Sequence, residues 1–191
     1  MSNITRALLF LVSCVFTQNF VFVRLMGGSA LFKKAGSVLT AAVVGAYTAL
    51  VMALSAALNW VVWKKLLVPL HGESLYLVAF ALVVLFSAWL IGLLVKRISP
   101  RAGEALGDNG FVLAVNCAVL GASLIGLDGG IVRAALTGLF GGLGFLLALV
   151  LMAGVRERLE FSKVPESMKG LPITLVSAGL IALAFMGFIG L

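Results

Sequence analysis

Long runs without a charged residue are the feature that most constrains how this chain can fold. The 191-residue chain is 62% hydrophobic and only 11% charged, whereas a soluble domain is roughly 45–50% apolar. About 20 apolar residues cross a bilayer as a helix. Six runs approach that length, at residues 7–23, 35–63, 74–95, 109–127, 134–155 and 170–191. The pattern predicts an all-α integral membrane protein with six transmembrane helices and no soluble domain.

Two of these runs contain a polar break. In one, Asn116 and Cys117 are followed by Gly121, and in the other, Asn19 is followed by Gly27. Hydrocarbon contains no water that could bond such groups, so a broken helix there must lie against protein or a cavity. Paired breaks in matching positions of two halves mark the working site of many membrane proteins. We therefore expect a hinge or an ion path at these residues.

The broken spans are the first and the fourth, so each leads a group of three. This order predicts one membrane domain built as a 3+3 inverted repeat, with residues 1–98 forming one repeat and residues 99–191 the other. The first, third and fifth connections carry ten Lys and Arg residues, and the opposite side carries four. Because basic residues concentrate in cytoplasmic loops, both termini are predicted to face away from the cytoplasm.

Several segments allow another functional interpretation, but each fits a membrane protein better. The net charge of +7 comes from basic residues that flank the apolar runs, which favours anchors at a lipid surface over a nucleic-acid interface. The glycines of 138–144 follow no predicted strand, so we expect close helix contact at Gly138 and Gly142 instead of a phosphate loop. The segment 11–14 resembles a lipoprotein cleavage box, but the apolar run continues beyond it, which favours a retained helix. The charged loop 156–170 is either an anchor with local ion pairs or a docking surface.

The chemistry of the breaks leaves alternatives open. Cys117 is either a small buried hydrophobe or a thiolate ligand, and one cysteine cannot hold an iron–sulfur cluster without a partner protein. Cys14 is expected at about the same depth in the membrane as Cys117, but a packed or lipid-facing side chain is the better interpretation for it. Asn19 and Asn116 either cap half-helices, line an ion path or join two helices by a hydrogen bond. No Asp or Glu lies inside a span, so a self-contained ion pump is not expected.

Three smaller features fit ordinary helix physics. Asp108 is placed to cap the fourth helix, and Pro172 suits the first turn of the sixth. An aromatic belt is expected at Trp60, Trp63 and Tyr76.

The chain resembles the A-type membrane component of the Rnf complex and its relative, the E-type component of the sodium-pumping NADH:quinone reductase. The resemblance covers nearly the whole sequence. It is carried by residues 19–21, 26–27, 99–100, 116–121, 156–159, 164–165, 177–180 and 184–188.

The resemblance implies a component of the bacterial cytoplasmic membrane that pairs with a homologous, oppositely oriented protein of the E type. The family holds a [2Fe–2S] cluster between these two proteins, and the complex couples electron transfer between ferredoxin and NAD to Na⁺ or H⁺ translocation. Further components of the B, C, D and G types carry the other cofactors. On this basis Cys117 matches one cluster ligand. The paired breaks themselves suggest that Asn19, Gly27, Asn116 and Gly121 form the hinge or ion path.

Three positions depart from the pattern of that family. The other expected cysteine is Ser29, and a serine oxygen is a harder ligand for iron than a thiolate. In the third span, Gly92 stands where the family pattern has a glutamate. Before Asn116, Phe111 stands where the pattern has a proline. These departures keep two alternatives open: a small secondary transporter, and a structural component of the complex without the cluster.

Overall fold

The computed structural model describes residues 3–28, 37–69, 73–106, 115–162 and 165–188, which are helices, turns and short connections with no β-strand in these ranges. The α-helices are α1 (Asn3–Val12), α2 (Val38–Val62), α3 (Tyr76–Ile98), α4 (Pro100–Leu106), α5 (Cys117–Ile125), α6 (Ile131–Glu160) and α7 (Leu171–Met186). Wider π-helical turns extend α1 over Ser13–Thr17 and α2 over Trp63–Leu67.

The centre of the fold is the antiparallel pair α2 and α6. A Cβ built on Gly142 would lie 2.5 Å from the Cα of Ala49, and one built on Gly138 would overlap the backbone of Met52. Only residues without a side chain allow helix backbones to approach this closely. The close contact predicted at Gly138 and Gly142 is confirmed. Helix α5 packs on both α2 and α6, and the π-helical turn after α1 packs on α6.

Within the described ranges, three helices are long and apolar enough to cross a membrane, judged by length and composition alone: Val38–Leu67, Tyr76–Ile98 and Ile131–Glu160. The predicted spans 35–63, 74–95 and 134–155 are therefore confirmed as long apolar helices. Helix α7 is shorter, at 16 residues, and holds Pro172 in its first turn as predicted. The outer face of α3 exposes a row of large apolar side chains, as expected for contact with lipid or another protein of a complex.

The two remaining predicted spans are not continuous helices over their described residues. The first run stops being helical at Thr17, six residues before its predicted end, because the chain turns at Asn19. The fourth run begins its helix at Cys117. Residues 107–114, which include Asp108 and Phe111, lie outside the described part of the chain, so the predicted cap at Asp108 stays a prediction.

Candidate functional site

The first break is organised by the side chain of Asn19, which is completely buried. Its Oδ1 accepts hydrogen bonds from the backbone N–H groups of Val21 (2.9 Å) and Phe22 (3.1 Å). Its Nδ2 donates to the carbonyl of Val15 (2.8 Å) and to that of Gly144 on α6 (3.1 Å). Asn19 therefore combines two of the roles that its sequence context left open, because it caps a turn and joins two helices.

The second break is organised in the same way by Asn116. Its Oδ1 accepts from the N–H groups of Ala118 (2.9 Å) and Val119 (3.3 Å), two and three residues further on, and so caps the first turn of α5. Asn is among the best residues at this position, since a short side chain reaches the free N–H groups of a helix start. At both breaks an Asn thus accepts from the backbone N–H groups two and three residues further along the chain.

The two breaks contact each other directly. The backbone N–H of Gly27 donates to Sγ of Cys117 over 3.0 Å. Gly27 has φ +80°, a conformation that side chains disfavour, and a Cβ built on it would lie 2.7 Å from the ring of Phe145. One turn along α5, the thioether of Met26 lies against Gly121, where a Cβ would be 2.6 Å from the sulfur. Gly27 and Gly121 thus allow the two segments to meet.

The turn that leads to Gly27 is itself constrained. Leu25 has φ +53°, in the left-handed region, and its side chain is 79% exposed. A leucine in this region is uncommon and is held there by the surrounding structure. Here the constraint comes from backbone hydrogen bonds, since the N–H of Met26 donates to the carbonyl of Phe20 over 2.8 Å.

The two cysteines differ in environment. Cys14 is buried, at 8% exposure, within the π-helical turn after α1, and it fits the packed role expected for it. Cys117 is exposed at the start of α5. Its Sγ lies at the N-terminal end of this helix and accepts a hydrogen bond from the backbone N–H of Gly27.

Within the described residues, no group of three or more His, Cys, Asp or Glu side chains lies close enough to hold a metal ion. Ser29, the other residue proposed near the cluster, lies outside the described ranges. The described part of the site therefore fits one thiolate ligand presented at a surface.

Tyr47 lies beside Gly92, the position in the third predicted span where a glutamate was expected. The Tyr47 hydroxyl donates to the carbonyl of Ala88 over 2.7 Å, and it lies 3.3 Å from a Cβ built on Gly92. The hydroxyl thus fills the space that a longer side chain at position 92 would enter. Tyr47 was not predicted from the sequence, because its only signal was an aromatic hydroxyl in an apolar run.

Buried asparagines, close packing at the glycines of α6 and long apolar helices together define a helical membrane protein in which the turn after α1 contacts the start of α5. The sequence profile described as "Rnf-Nqr subunit, membrane protein" matches residues 7–191. The chain belongs to this family.

Curated relatives match almost from end to end. The chain is 39% identical to the A-type component of the Na(+)-translocating ferredoxin:NAD(+) oxidoreductase complex of Acetobacterium woodii, with 95% of each chain covered. It is 38% identical to the A-type component of the ion-translocating oxidoreductase complex of Syntrophotalea carbinolica, with 96% of each covered. Its identity to the component of the same name in Thioalkalivibrio sulfidiphilus is 39%, with 98% of each covered.

Proposed function

We propose that this chain is the A-type membrane component of an ion-translocating ferredoxin:NAD oxidoreductase complex, where it holds an intramembrane electron relay jointly with a homologous partner. It has no catalytic residue of its own, and its contribution is structural and electrostatic. The observation that carries the proposal is the contact between the two capped breaks at Cys117 Sγ. The near full-length identity to A-type relatives supports it.

The proposed architecture is the six-span 3+3 inverted repeat, with residues 1–98 and 99–191 as the two halves. Three observations support it. Asn19 and Asn116 accept from the same relative pair of N–H groups. Helices α2 and α6, the second members of the two halves, run antiparallel in close contact. The π-helical turn at the first break packs on α6, and α5 packs on α2 as well as on α6, so each half contacts the second helix of the other half.

The proposed location is the bacterial cytoplasmic membrane, with both termini on the non-cytoplasmic side. The excess of basic residues in three of the connections supports this orientation. The C-terminal end of α6 and the turn after it then lie in the cytoplasm. There Lys169 and Glu166 form an exposed ion pair at 3.9 Å, which contributes little to stability and leaves both charges available to other proteins of the complex.

The relay is proposed to be a [2Fe–2S] cluster shared between this chain and an E-type partner, which would supply a one-electron carrier within the membrane. Cys117 would provide a thiolate, and Ser29 would provide a weaker oxygen ligand or none. Hydrogen bonds to sulfur tune such centres, and the N–H of Gly27 already donates to Cys117 Sγ. Since this N–H belongs to the other break, any change at the sulfur acts on both halves at once.

The ion path is proposed to follow the two breaks, with Asn19, Gly27, Asn116 and Gly121 as its hinge. Glycine at 27 and 121 lets the segments approach each other closely. A small rearrangement of this contact would shift backbone groups of both half-helices relative to α6. Electron transfer and Na⁺ or H⁺ passage would be coupled in this way.

The decisive experiment measures the iron content and the EPR spectrum of this chain, purified anaerobically as a pair with its homologous partner. We expect a reduced [2Fe–2S] signal that disappears in Cys117→Ala. The matched control is Cys14→Ala, which removes the buried cysteine and should leave the signal unchanged. A wild-type pair that assembles but carries no iron at its interface would refute the relay.

Ser29 favours a second candidate, a structural component of the same complex that no longer binds a cluster. The variant Ser29→Cys separates the two functions. If Ser29 is a weak ligand, the cysteine should strengthen or shift an existing signal; if the cluster is absent, the wild type has no signal to shift. Solute uptake by this chain alone in liposomes would instead indicate a secondary transporter.

A further inference from the structure

Asn59 on α2 is a completely buried side chain with an unusual bonding state. Its exposed fraction is 0%, yet neither Oδ1 nor Nδ2 has a hydrogen-bond partner among the residues that the structure describes. Other buried polar residues on the described helices bond to their own backbone: Thr48 donates to the carbonyl of Val44 (2.8 Å) and Ser123 to that of Val119 (3.0 Å). Asn59 does not use this solution.

The position of Asn59 shows that it belongs to the interior of the bundle. Thr48, Met52, Ser55 and Asn59 follow one another at spacings of four, three and four residues, so they share one face of α2. All four have an exposed fraction of 0%. The backbone of Met52 on this face packs against Gly138 of α6. The amide is therefore enclosed by protein and does not reach lipid or bulk water.

Groups next to Asn59 fix which end of the bundle it occupies. The adjacent Trp60 donates from its indole N–H to the carbonyl of Gly129, in the connection between α5 and α6. The short 3₁₀ turn Gly126–Asp128 at the end of α5 also packs on α2. One turn before Asn59, the Ser55 hydroxyl donates to the carbonyl of Met52 over 3.2 Å, which leaves its oxygen free to accept. Asn59 thus lies at the level along α2 where the α5–α6 connection packs on this helix.

A buried primary amide without partners is strongly disfavoured, and native proteins satisfy such groups with protein atoms or with ordered water. The amide has two N–H donors and a carbonyl acceptor. A bare cation would satisfy Oδ1 and leave Nδ2 without a bond. Water both donates and accepts, so one molecule bonds to both Oδ1 and one N–H of Nδ2, and a second molecule accepts from the other N–H.

We propose that Asn59 anchors an internal water site between α2 and the connection that follows α5. The water accepts a hydrogen bond from Nδ2 and donates one to Oδ1, and the oxygen of Ser55 is the nearest further acceptor on the same face of α2. This site is separate from the contact at Cys117 and does not depend on the proposed electron relay. It gives the bundle a hydrated polar point at the end that carries Trp60.

The test is a cryo-EM map of the membrane complex at a resolution that shows ordered water, with matched samples in sodium and in N-methylglucamine. We expect a density peak about 2.7–3.2 Å from Oδ1 and Nδ2 of Asn59 in both salts. The variant Asn59→Leu should lose the peak, and the control Thr48→Val, which removes a hydroxyl already bonded to its own helix, should keep it.

Two results overturn the proposal. Wild-type maps that show water elsewhere in the chain and no peak at Asn59 would exclude the site. A peak seen only in sodium would identify a cation instead. Because the wild-type maps decide both points, the test does not depend on whether Asn59→Leu folds.

Discussion

Removing the Asn19 side chain tests directly how the first break is stabilised. Asn19→Ala deletes two bonds accepted from the N–H groups of Val21 and Phe22, and two donated to the carbonyls of Val15 and Gly144. Since Asn19 is fully buried, water cannot replace the lost partners, and the two N–H groups are left without acceptors.

The expected loss can be worked from these four bonds. A buried donor left without a partner costs about 1–3 kcal/mol, and losing a helix cap costs about 0.5–2 kcal/mol. Hydrogen bonds between membrane helices average only about 0.6 kcal/mol, because the unfolded chain in the membrane also finds partners. Counting the cap once, at about 0.5–2 kcal/mol, and the bond to Gly144 at about 0.6 kcal/mol, we expect Asn19→Ala to lower the free energy of unfolding by about 1–3 kcal/mol.

The assay is reversible unfolding of the purified chain in mixed micelles by SDS titration. The matched control is the neighbouring Gln18→Ala, an exposed side chain that bonds only to Arg24 at 3.3 Å, for which we expect a change within about 0.5 kcal/mol. If Asn19→Ala also stays within that range, the break is held by something other than the asparagine, and our account of its capping is wrong.

Three further substitutions, one of them with its own control, test other contacts in the structure. Gly142→Leu places a side chain in the α2–α6 backbone contact and should lower the free energy of unfolding by at least about 1–3 kcal/mol in the same titration. The control is Gly154→Ala on the same helix, where a built Cβ meets no described atom within 4 Å, so this change should be neutral or stabilising by up to about 1 kcal/mol. Equal effects of the two substitutions would contradict the packing argument. Gly27→Ala meets both a φ of +80° and the Phe145 ring, so it should destabilise the chain and shift or abolish the proposed EPR signal, and an unchanged spectrum would show that the Gly27 amide does not act on the sulfur. Lys169→Ala should change stability by less than about 0.5 kcal/mol because its ion pair is exposed, and a larger loss would indicate a contact beyond Glu166.

The long apolar helices could be predicted because an uncharged run of 20 or more residues has few alternatives in a bilayer. Their ends could not, since α6 extends to Glu160 through charged residues that a hydropathy reading assigns to a loop. Helix α4, Pro100–Leu106, lies where the sequence predicted a connection. Pro100 at its first position was a usable signal, because proline is favoured at a helix start.

The breaks could be located from the sequence but their bonding could not. Asn19 and Asn116 stand out in apolar runs, yet the same residues could cap a turn, line a path or link two helices. The tertiary structure decides: Asn19 does two of these things at once because Gly144 brings the α6 carbonyl within reach. The contact of Gly27 with Cys117 joins residues 90 positions apart, and no local pattern encodes that pairing.

The capping by Asn19 and Asn116 also bears on how the complex is assembled. Each asparagine satisfies the free backbone donors of its own break from within the same chain. Neither interruption needs a second protein to supply those bonds. We therefore expect the turn after Asn19 and the first turn of α5 to form in the chain alone, with Cys117 exposed. A partner that arrives later meets a preformed surface and does not have to order it.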